Sequence, residues 1–485
     1  MSIRHQAKKL AREGAVRLAD ALLPLGSLRR RRAEQWLVHR LRDLYAQLTI
    51  RTQRLLHRQQ DAGPRPRVLY ILHDAAGGIR ETTKDLLSAI HPRFECFLLT
   101  ATPSRLALLR YTPYGLEPLQ SWWLSSPWSH RLSRDEQHGH VYRTVLDRLD
   151  PDLVHVRHLL GHTDELIELC HERGSPILLS FHDYYMACPG IHLLDDRDRY
   201  CAGHCTPSRG QCRIPVPWLH DLPVLKAGYL ESWRDRVREM MPRMAAFVTT
   251  SQASRDVLLG VYPELAERDF RVIEHGRDFP AQEQLASFLL PGGPVRVALP
   301  GHLHFHKGSD FVRRLKEYDR DRENLLELHF LGTTDPSLRD LGVHHGPYPR
   351  SRLSSLVAAI RPSFVGIFSI WPETYCHTLT EAWSVSIPVF ASDLGALRKR
   401  VRAHGGGWTI PVDDIERAYQ EIVRVVRDPD EYRREAGRAR IDREMTVTAM
   451  GRSYEQLYED LLGAQAEGEN PHSSRKTSAT RRSRG

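Results

Sequence analysis

The chain has 485 residues, too many for one ordinary hydrophobic core, so two domains with appendages is the natural expectation. With 41% hydrophobic and 27% charged residues the composition is that of a globular protein, and no run of 18 or more apolar residues is present to cross a bilayer. The net charge of +9 sits at the ends: residues 1–63 carry +9 and 464–485 carry +3, leaving −3 for 64–463, so no nucleic-acid partner is expected of the body.

Arg12, Glu13, Arg17 and Asp20 interrupt any apolar core of a secretory leader, and the seven cysteines are an odd number. Both features point to a reducing cytoplasm. Residues 1–63 read as a basic helical extension. Leu37, Leu41, Leu44, Leu48 and Leu55 recur at helical spacing behind the basic block "LRRRRAEQ". Such a prefix serves equally as a partner helix or, through residues 1–60, as an amphipathic surface on anionic lipid at the inner face of a membrane. "DAGPRPR" (61–67) is a linker.

"RVLYIL" (67–72) opens the body as a buried strand. "FECFLLT", "DLVHVRH", "PILLSFHD", "AFVTTS" and "RVIEHG" continue the strands, with helices between them at 135–149 and 164–173. "LPGGP" marks a boundary, and "VRVALPG", "LELHFLG", "VHHGPY", "FVGIFSI", "IPVFASD" and "GGWTIP" repeat the alternation. The pattern predicts α/β architecture: two doubly wound parallel-sheet domains at 64–285 and 292–425, helices at 426–463, and a disordered basic tail at 464–485. In such sheets ligands bind at the carboxyl ends of strands, so chemistry is sought there.

Four segments fall at those ends. "HDAAGGI" places Gly77 and Gly78 where backbone can approach a ligand and a helix begins, which also describes an ordinary tight turn. "SFHDYYMACPG" puts His182 and Asp183 after a strand, as hydroxyl or charge partners or as structural caps. "GHLHFHKGSD" sets Lys307 and Gly308 before a helix, a compact cation with backbone amides suited to a diphosphate; the spacing is not that of a Walker loop. "WPETYCHTLTEAWSVSIPV" (371–389) carries Glu373 and Glu381 inside apolar sequence. Stabilisation of a helix dipole explains the first glutamate alone; a polyhydroxylated ligand explains both. Amides near Thr378 and Leu379 could hold a phosphate.

The segment 371–397, with two glutamates separated by seven residues, resembles the donor-site signature of the retaining group-1, family 4-like glycosyltransferases of the GT-B fold. The early glycine pair, "HD" after a first-domain strand and "KGSD" after the second domain's first strand keep that family's order. The resemblance covers about residues 67–460. It implies two facing Rossmann-like domains and transfer of a sugar from a nucleotide-diphosphate donor, with retention, to a saccharide or lipid-linked acceptor in surface polysaccharide or glycolipid synthesis. It implies Glu373 on the donor sugar, Glu381 on the ribose, Lys307 with Thr378 and Leu379 on the diphosphate, and His182 at the anomeric centre, with no metal required. Two positions depart from the family: His302 stands where an arginine is usual, so His302 or His306 would share phosphate binding, and Ser386 replaces a glycine. A nucleotide-sugar epimerase of the same plan and a catalytically silent scaffold are the alternatives.

Cys188, Cys201, Cys205 and Cys212 fall in a Gly/Pro/Asp-rich insertion at 186–215. Four thiolates suit structural zinc, but the spacings are not a paired CxxC frame, and separate thiols or a redox-labile pair fit as well.

Overall fold

The computed structural model describes residues 28–56, 64–74, 78–205, 212, 226–279, 289, 292–441 and 445–468. The expectations for residues 1–27, for Gly77, for most of the second half of the cysteine insertion and for the end of the tail lie outside them.

After α1 (Leu28–Leu56), the first unit runs β1 (Arg67–His73), α2 (Gly78–Ile90), β2 (Glu95–Thr102), β3 (Arg105–Thr112), β4 (Gly115–Trp123), α3 (Glu136–Leu149), β5 (Leu153–Val156), α4 (Glu165–Glu172), β6 (Ile177–Phe181), α5 (Lys226–Met240), β7 (Ala246–Thr249), α6 (Gln252–Val261) and β8 (Phe270–Val272). Its sheet has the order β4-β3-β2-β1-β5-β6-β7-β8. The second unit runs β9 (Val295–Leu303), α7 (Ser309–Arg320), β10 (Leu326–Thr334), β11 (Val343–His344), α8 (Leu353–Ile360), β12 (Phe364–Ile367), α9 (His377–Ser384), β13 (Val389–Ser392), α10 (Gly395–His404), β14 (Gly407–Ile410), α11 (Ile415–Val426) and α12 (Pro429–Ala436). Its sheet order is β11-β10-β9-β12-β13-β14. A last helix, α13, spans Val447–Gly468.

The central strands are continuous apolar runs because helices cover both faces. In β1, Val68 through Leu72 are essentially inaccessible. Val141, Tyr142 and Val145 of α3, Leu166 of α4, Trp233 of α5 and Leu258 of α6 pack on one face of the first sheet. Leu86, Leu87 and Ile90 of α2 cover the other face together with Tyr454, Leu457 and Tyr458 of α13. Thus α13 follows the second unit in sequence but closes the core of the first. Its anchor is a buried polar chain: the Tyr458 hydroxyl lies 2.9 Å from the Tyr70 hydroxyl and 2.7 Å from His155 Nδ1, whose Nε2 meets Ser180 Oγ at 2.6 Å. Each buried polar atom is satisfied by the next, which removes the desolvation cost of placing them there.

The second sheet is parallel throughout, as expected. The first departs from the expectation at one edge, where β3 pairs antiparallel with both β2 and β4. Gly115, at φ +129°, allows the tight reversal between β3 and β4. Pro118 sits in the edge strand, the place in a sheet that tolerates proline, and its carbonyl accepts a 2.7 Å hydrogen bond from Gln47 Nε2 of α1.

Candidate active site

The carboxyl ends of the two sheets meet. Tyr184 Oη donates to the Pro372 carbonyl (2.9 Å), Thr250 Oγ1 to the Thr374 carbonyl (3.0 Å) and Thr374 Oγ1 to the His182 carbonyl (2.8 Å). All three bonds join loops after β6 and β7 to the loop between β12 and α9. A cleft of about 1130 Å³ opens nearby, lined by Gly308, Ser309, Ile370 and Asp393 at strand ends of the second sheet and by Asp195, Arg197, Asp198, Arg199 and Tyr200 of the first unit.

Lys307 and Glu373 are brought together. Lys307 Nζ lies 2.7 Å from Glu373 Oε1, and Ser369 Oγ donates to the same oxygen. The glutamate side chain is 6% exposed and the lysine 33%. Burial pushes the Glu373 pKa up, but the Lys307 charge and the hydrogen bonds from Lys307 and Ser369 outweigh it, holding the carboxyl below its ordinary value. Burial likewise pulls Lys307 down, and Glu373 more than reverses that. The pair is therefore ionised on both sides, a fixed dipole at the strand ends.

Gly308 permits this placement. It adopts φ +83° and caps α7, and a Cβ there would lie 2.1 Å from the Phe368 carbonyl oxygen. Residues before α7 can approach β12 this closely only with glycine at that position.

His182 is buried, with neither ring nitrogen hydrogen-bonded to a described residue. Its ring stacks on His275 (centroids 5.2 Å apart, 11° between planes), which stacks in turn on His377, the first residue of α9 (5.1 Å, 25°). Burial, then Arg157 and His275, hold His182 well below its ordinary pKa; burial, then Arg157, Arg277 and Arg400, do the same for His275. Neutral imidazoles at His182 and His275 thus stand between the first unit and the start of α9. Asp183, next in sequence, faces His158: Nε2 lies 3.1 Å from Oδ2, while His158 Nδ1 accepts from the Leu160 amide. That acceptor role assigns the His158 proton to Nε2, so the ring donates to the carboxylate. Burial raises the Asp183 pKa, but His158 and the Tyr185 amide leave it below the ordinary value.

The other predicted residues fall at several places in the two units. His302 is exposed and pairs with Thr333 Oγ1 at 2.5 Å across the β9–β10 ladder, away from Lys307. His306 is the imidazole beside Lys307; burial and then the Lys307 charge lower its pKa to about 4, and its ring stacks on His192 at 4.4 Å. The Leu379 amide is not open: it makes a 3.3 Å bond to the Cys376 carbonyl in the first turn of α9, beside Thr378. Cys188, Cys201, Cys205 and Cys212, none in a disulfide, line one small cavity with Leu193 and Leu230. Burial, and then the neighbouring cysteines, push the Cys188 thiol up to about 12. Among the described residues no group of three or more His, Cys, Asp or Glu is arranged to hold a metal ion, so the zinc reading is set aside. Glu381 lies half-buried in the middle of α9, one turn beyond Thr378, and Gly78 begins α2.

Sequence reasoning missed Arg400. Its buried guanidinium donates to the Tyr375 and Cys376 carbonyls (2.9 Å each) and to Thr380 Oγ1 (2.9 Å). It thereby fixes the start of α9, where Cys376 takes the costly φ of +74°. His275 and the buried Arg157 were missed as well, although both lie near the carboxyl ends of predicted strands.

Residues 76–279 match the family model for Glycosyltransferase Family 4. The chain is 22% identical over 289 residues to the Escherichia coli K12 protein named "Putative colanic acid biosynthesis glycosyl transferase WcaC", covering 57% of this chain and 68% of that one. In fold it is similar to sucrose-phosphate synthase from Thermosynechococcus elongatus (TM-score 0.59, 16% identity, 83% of this chain and 100% of that one). It is also similar to Alr3699/HepE from Anabaena in complex with UDP (TM-score 0.52, 12% identity, 81% and 100%). The two-sheet frame and these matches agree: the chain has the two-domain GT-B fold, and its residues 76–279 are similar to Glycosyltransferase Family 4.

Proposed function

We propose that the protein transfers a hexosyl-type sugar from a nucleotide-diphosphate sugar to a saccharide or lipid-linked acceptor, with retention at the anomeric carbon, in the assembly of a surface polysaccharide or glycolipid. The observation that carries this reading is the buried Lys307–Glu373 pair at the strand ends, one loop from the start of α9 and next to the His182 backbone. The names of relatives support it: the curated relative is a colanic acid transferase by name, and Anabaena HepE has been crystallised with UDP and with UDP-glucose.

On this reading Glu373 accepts hydrogen bonds from donor-sugar hydroxyls while Lys307 turns its charge to the diphosphate, and Glu381 holds the ribose. His182 and Asp183 border the anomeric centre from the acceptor side. The bond from the anomeric carbon to the diphosphate oxygen breaks, the acceptor oxygen bonds to that carbon on the same face, and the acceptor proton passes to the departing phosphate. Lys307 stabilises the charge that develops on the leaving group, inside a closed and water-poor cleft. Because the acceptor proton goes to the phosphate, no side chain needs a pKa near neutrality.

The test is thermal stabilisation by a panel of nucleoside diphosphates, followed by NMR of the anomeric proton of the product. One diphosphate is expected to raise Tm, and Glu381→Ala to abolish the rise. Product with the donor's anomeric configuration supports retention, and the inverted anomer refutes it. A sugar isomerised without an acceptor would mark an epimerase, and no shift with any diphosphate would mark a silent scaffold.

A further inference from the structure

Helix α1 has two faces of different character. At about 100° per residue, His39, Asp43, Gln47 and Ile50 share one side. That side packs on the first sheet: His39 meets the Trp123 ring edge-on at 5.8 Å, Asp43 lies 3.6 Å from the buried Arg105, and Ile50 is 2% exposed. Val38, Leu41, Leu44, Tyr45 and Leu48 form a strip on the opposite side and are 51–63% exposed. Trp36, one turn before His39 on the packed side, is 44% exposed, with the Arg40 guanidinium 5.6 Å from its ring. Arg40 and Arg42 fall about 100° to either side of Leu41, so cations border the strip on both edges.

An apolar strip this continuous needs a partner. The charge of the helix selects which. Over Leu28–Leu56 there are eight arginines against Glu34 and Asp43. A second copy of the same helix would bring two strongly cationic surfaces together, which costs energy. An anionic bilayer surface complements the arginines and accepts the leucines, with Tyr45 at headgroup depth. Among the described residues no helix is long and apolar enough to cross a membrane, so α1 would lie in the interface plane.

We infer that the outer face of α1 docks the protein on an anionic lipid surface. The position of the helix gives the docking a use. Arg42 reaches Asp74, at the end of β1, at 3.4 Å, and Arg80 of α2 meets the same carboxylate at 3.4 Å. The lipid-facing helix is thus tied to the first-unit strand ends, where the proposed function places the acceptor. Docking there would present a lipid-linked acceptor to the cleft without crossing water. This use rests on the proposed transfer, whereas the docking itself does not.

The experiment is co-sedimentation of the full chain with phosphatidylcholine vesicles, with and without phosphatidylglycerol, alongside light scattering of the free protein. The expected result is binding only to the anionic vesicles, weakened by salt. The triple variant Leu41→Ser/Leu44→Ser/Leu48→Ser should cut partitioning at least about tenfold while leaving the melting temperature unchanged, since all three side chains are already exposed. Three results would overturn the inference: no binding to either vesicle, equal binding by the triple variant, or a dimer in solution that the triple variant dissociates. Nucleoside-diphosphate stabilisation is read separately, so failure of docking and failure of the transferase reading are distinguishable.

Discussion

At the scale of single residues, the Lys307–Glu373 pair makes a testable distinction between stability and chemistry. Removing the lysine alone strands a carboxylate that is 6% exposed. A fully buried pair broken this way costs about 3–5 kcal/mol; with Lys307 a third exposed and Ser369 still donating to Glu373, about 2 kcal/mol is expected of Lys307→Met. Glu373→Gln should cost less, because an amide needs no counter-charge. In Lys307→Met/Glu373→Gln the losses should not add, since the stranded charge is gone. Urea midpoints of the four proteins give the coupling. Transfer activity should be lost in all three variants, and activity that recovered together with stability would show that the pair is only structural. These two residues were legible in the sequence because each follows an apolar strand and breaks the apolar pattern. Arg400 was not. In "LGALRKRVRAH" four cations crowd one short helix, and nothing in their spacing says that one of them turns inward to hold two carbonyls.

At the scale of elements, the β9–α7 connection depends on one backbone conformation. Gly308→Ala would have to hold φ near +83° and place a methyl against the Phe368 carbonyl, which belongs to the rigid loop after β12. Backbone of this kind has little room to yield, so a loss of about 3 kcal/mol is expected, with the start of α7 displaced. Calorimetry should show the destabilisation, and nucleoside-diphosphate affinity should fall with it because Lys307 is displaced too. Ser386 shows the milder case, a left-handed residue at φ +59° where a non-glycine costs roughly 1 kcal/mol. The elements were read well where strand and helix alternate and poorly where they do not. The segment "RLALLRYTPYGLEPLQSWW" holds β3 and β4, which no strand in the sequence pattern marked. The turn around Gly115 was the readable signal, but β3 is covered on both faces over most of its length and lacks the in–out alternation that marks a hairpin.

At the scale of the whole molecule, buried neutral histidines tie stability to pH. Burial, with a neighbouring imidazole charge in second place, lowers His73 to about 3. Burial lowers His162 to about 3, and burial with Lys307 lowers His306 to about 4. An unfolded histidine titrates near 6.5, so between the folded and unfolded values the unfolded chain binds more protons. The stability these groups contribute is complete above pH ~6.5 and is lost as pH falls from there toward about 4 and below. Asp183 and Glu373, both depressed, lose theirs in the same direction but below the ordinary carboxylate range. On the order of 1–3 kcal/mol per histidine by pH ~4 is large against a typical total of 5–15, so thermal melts should fall steeply below pH ~6. His306→Asn should flatten part of that fall while leaving the melt at pH ~8 nearly unchanged, because the neutral ring is what the fold accommodates. A melting temperature constant down to pH ~4.5 would contradict the argument. The effect belongs to the assembled molecule: the rings of His182, His275 and His377 come from the loops after β6 and β8 and from the start of α9, and only the closed two-sheet frame stacks them and excludes their water.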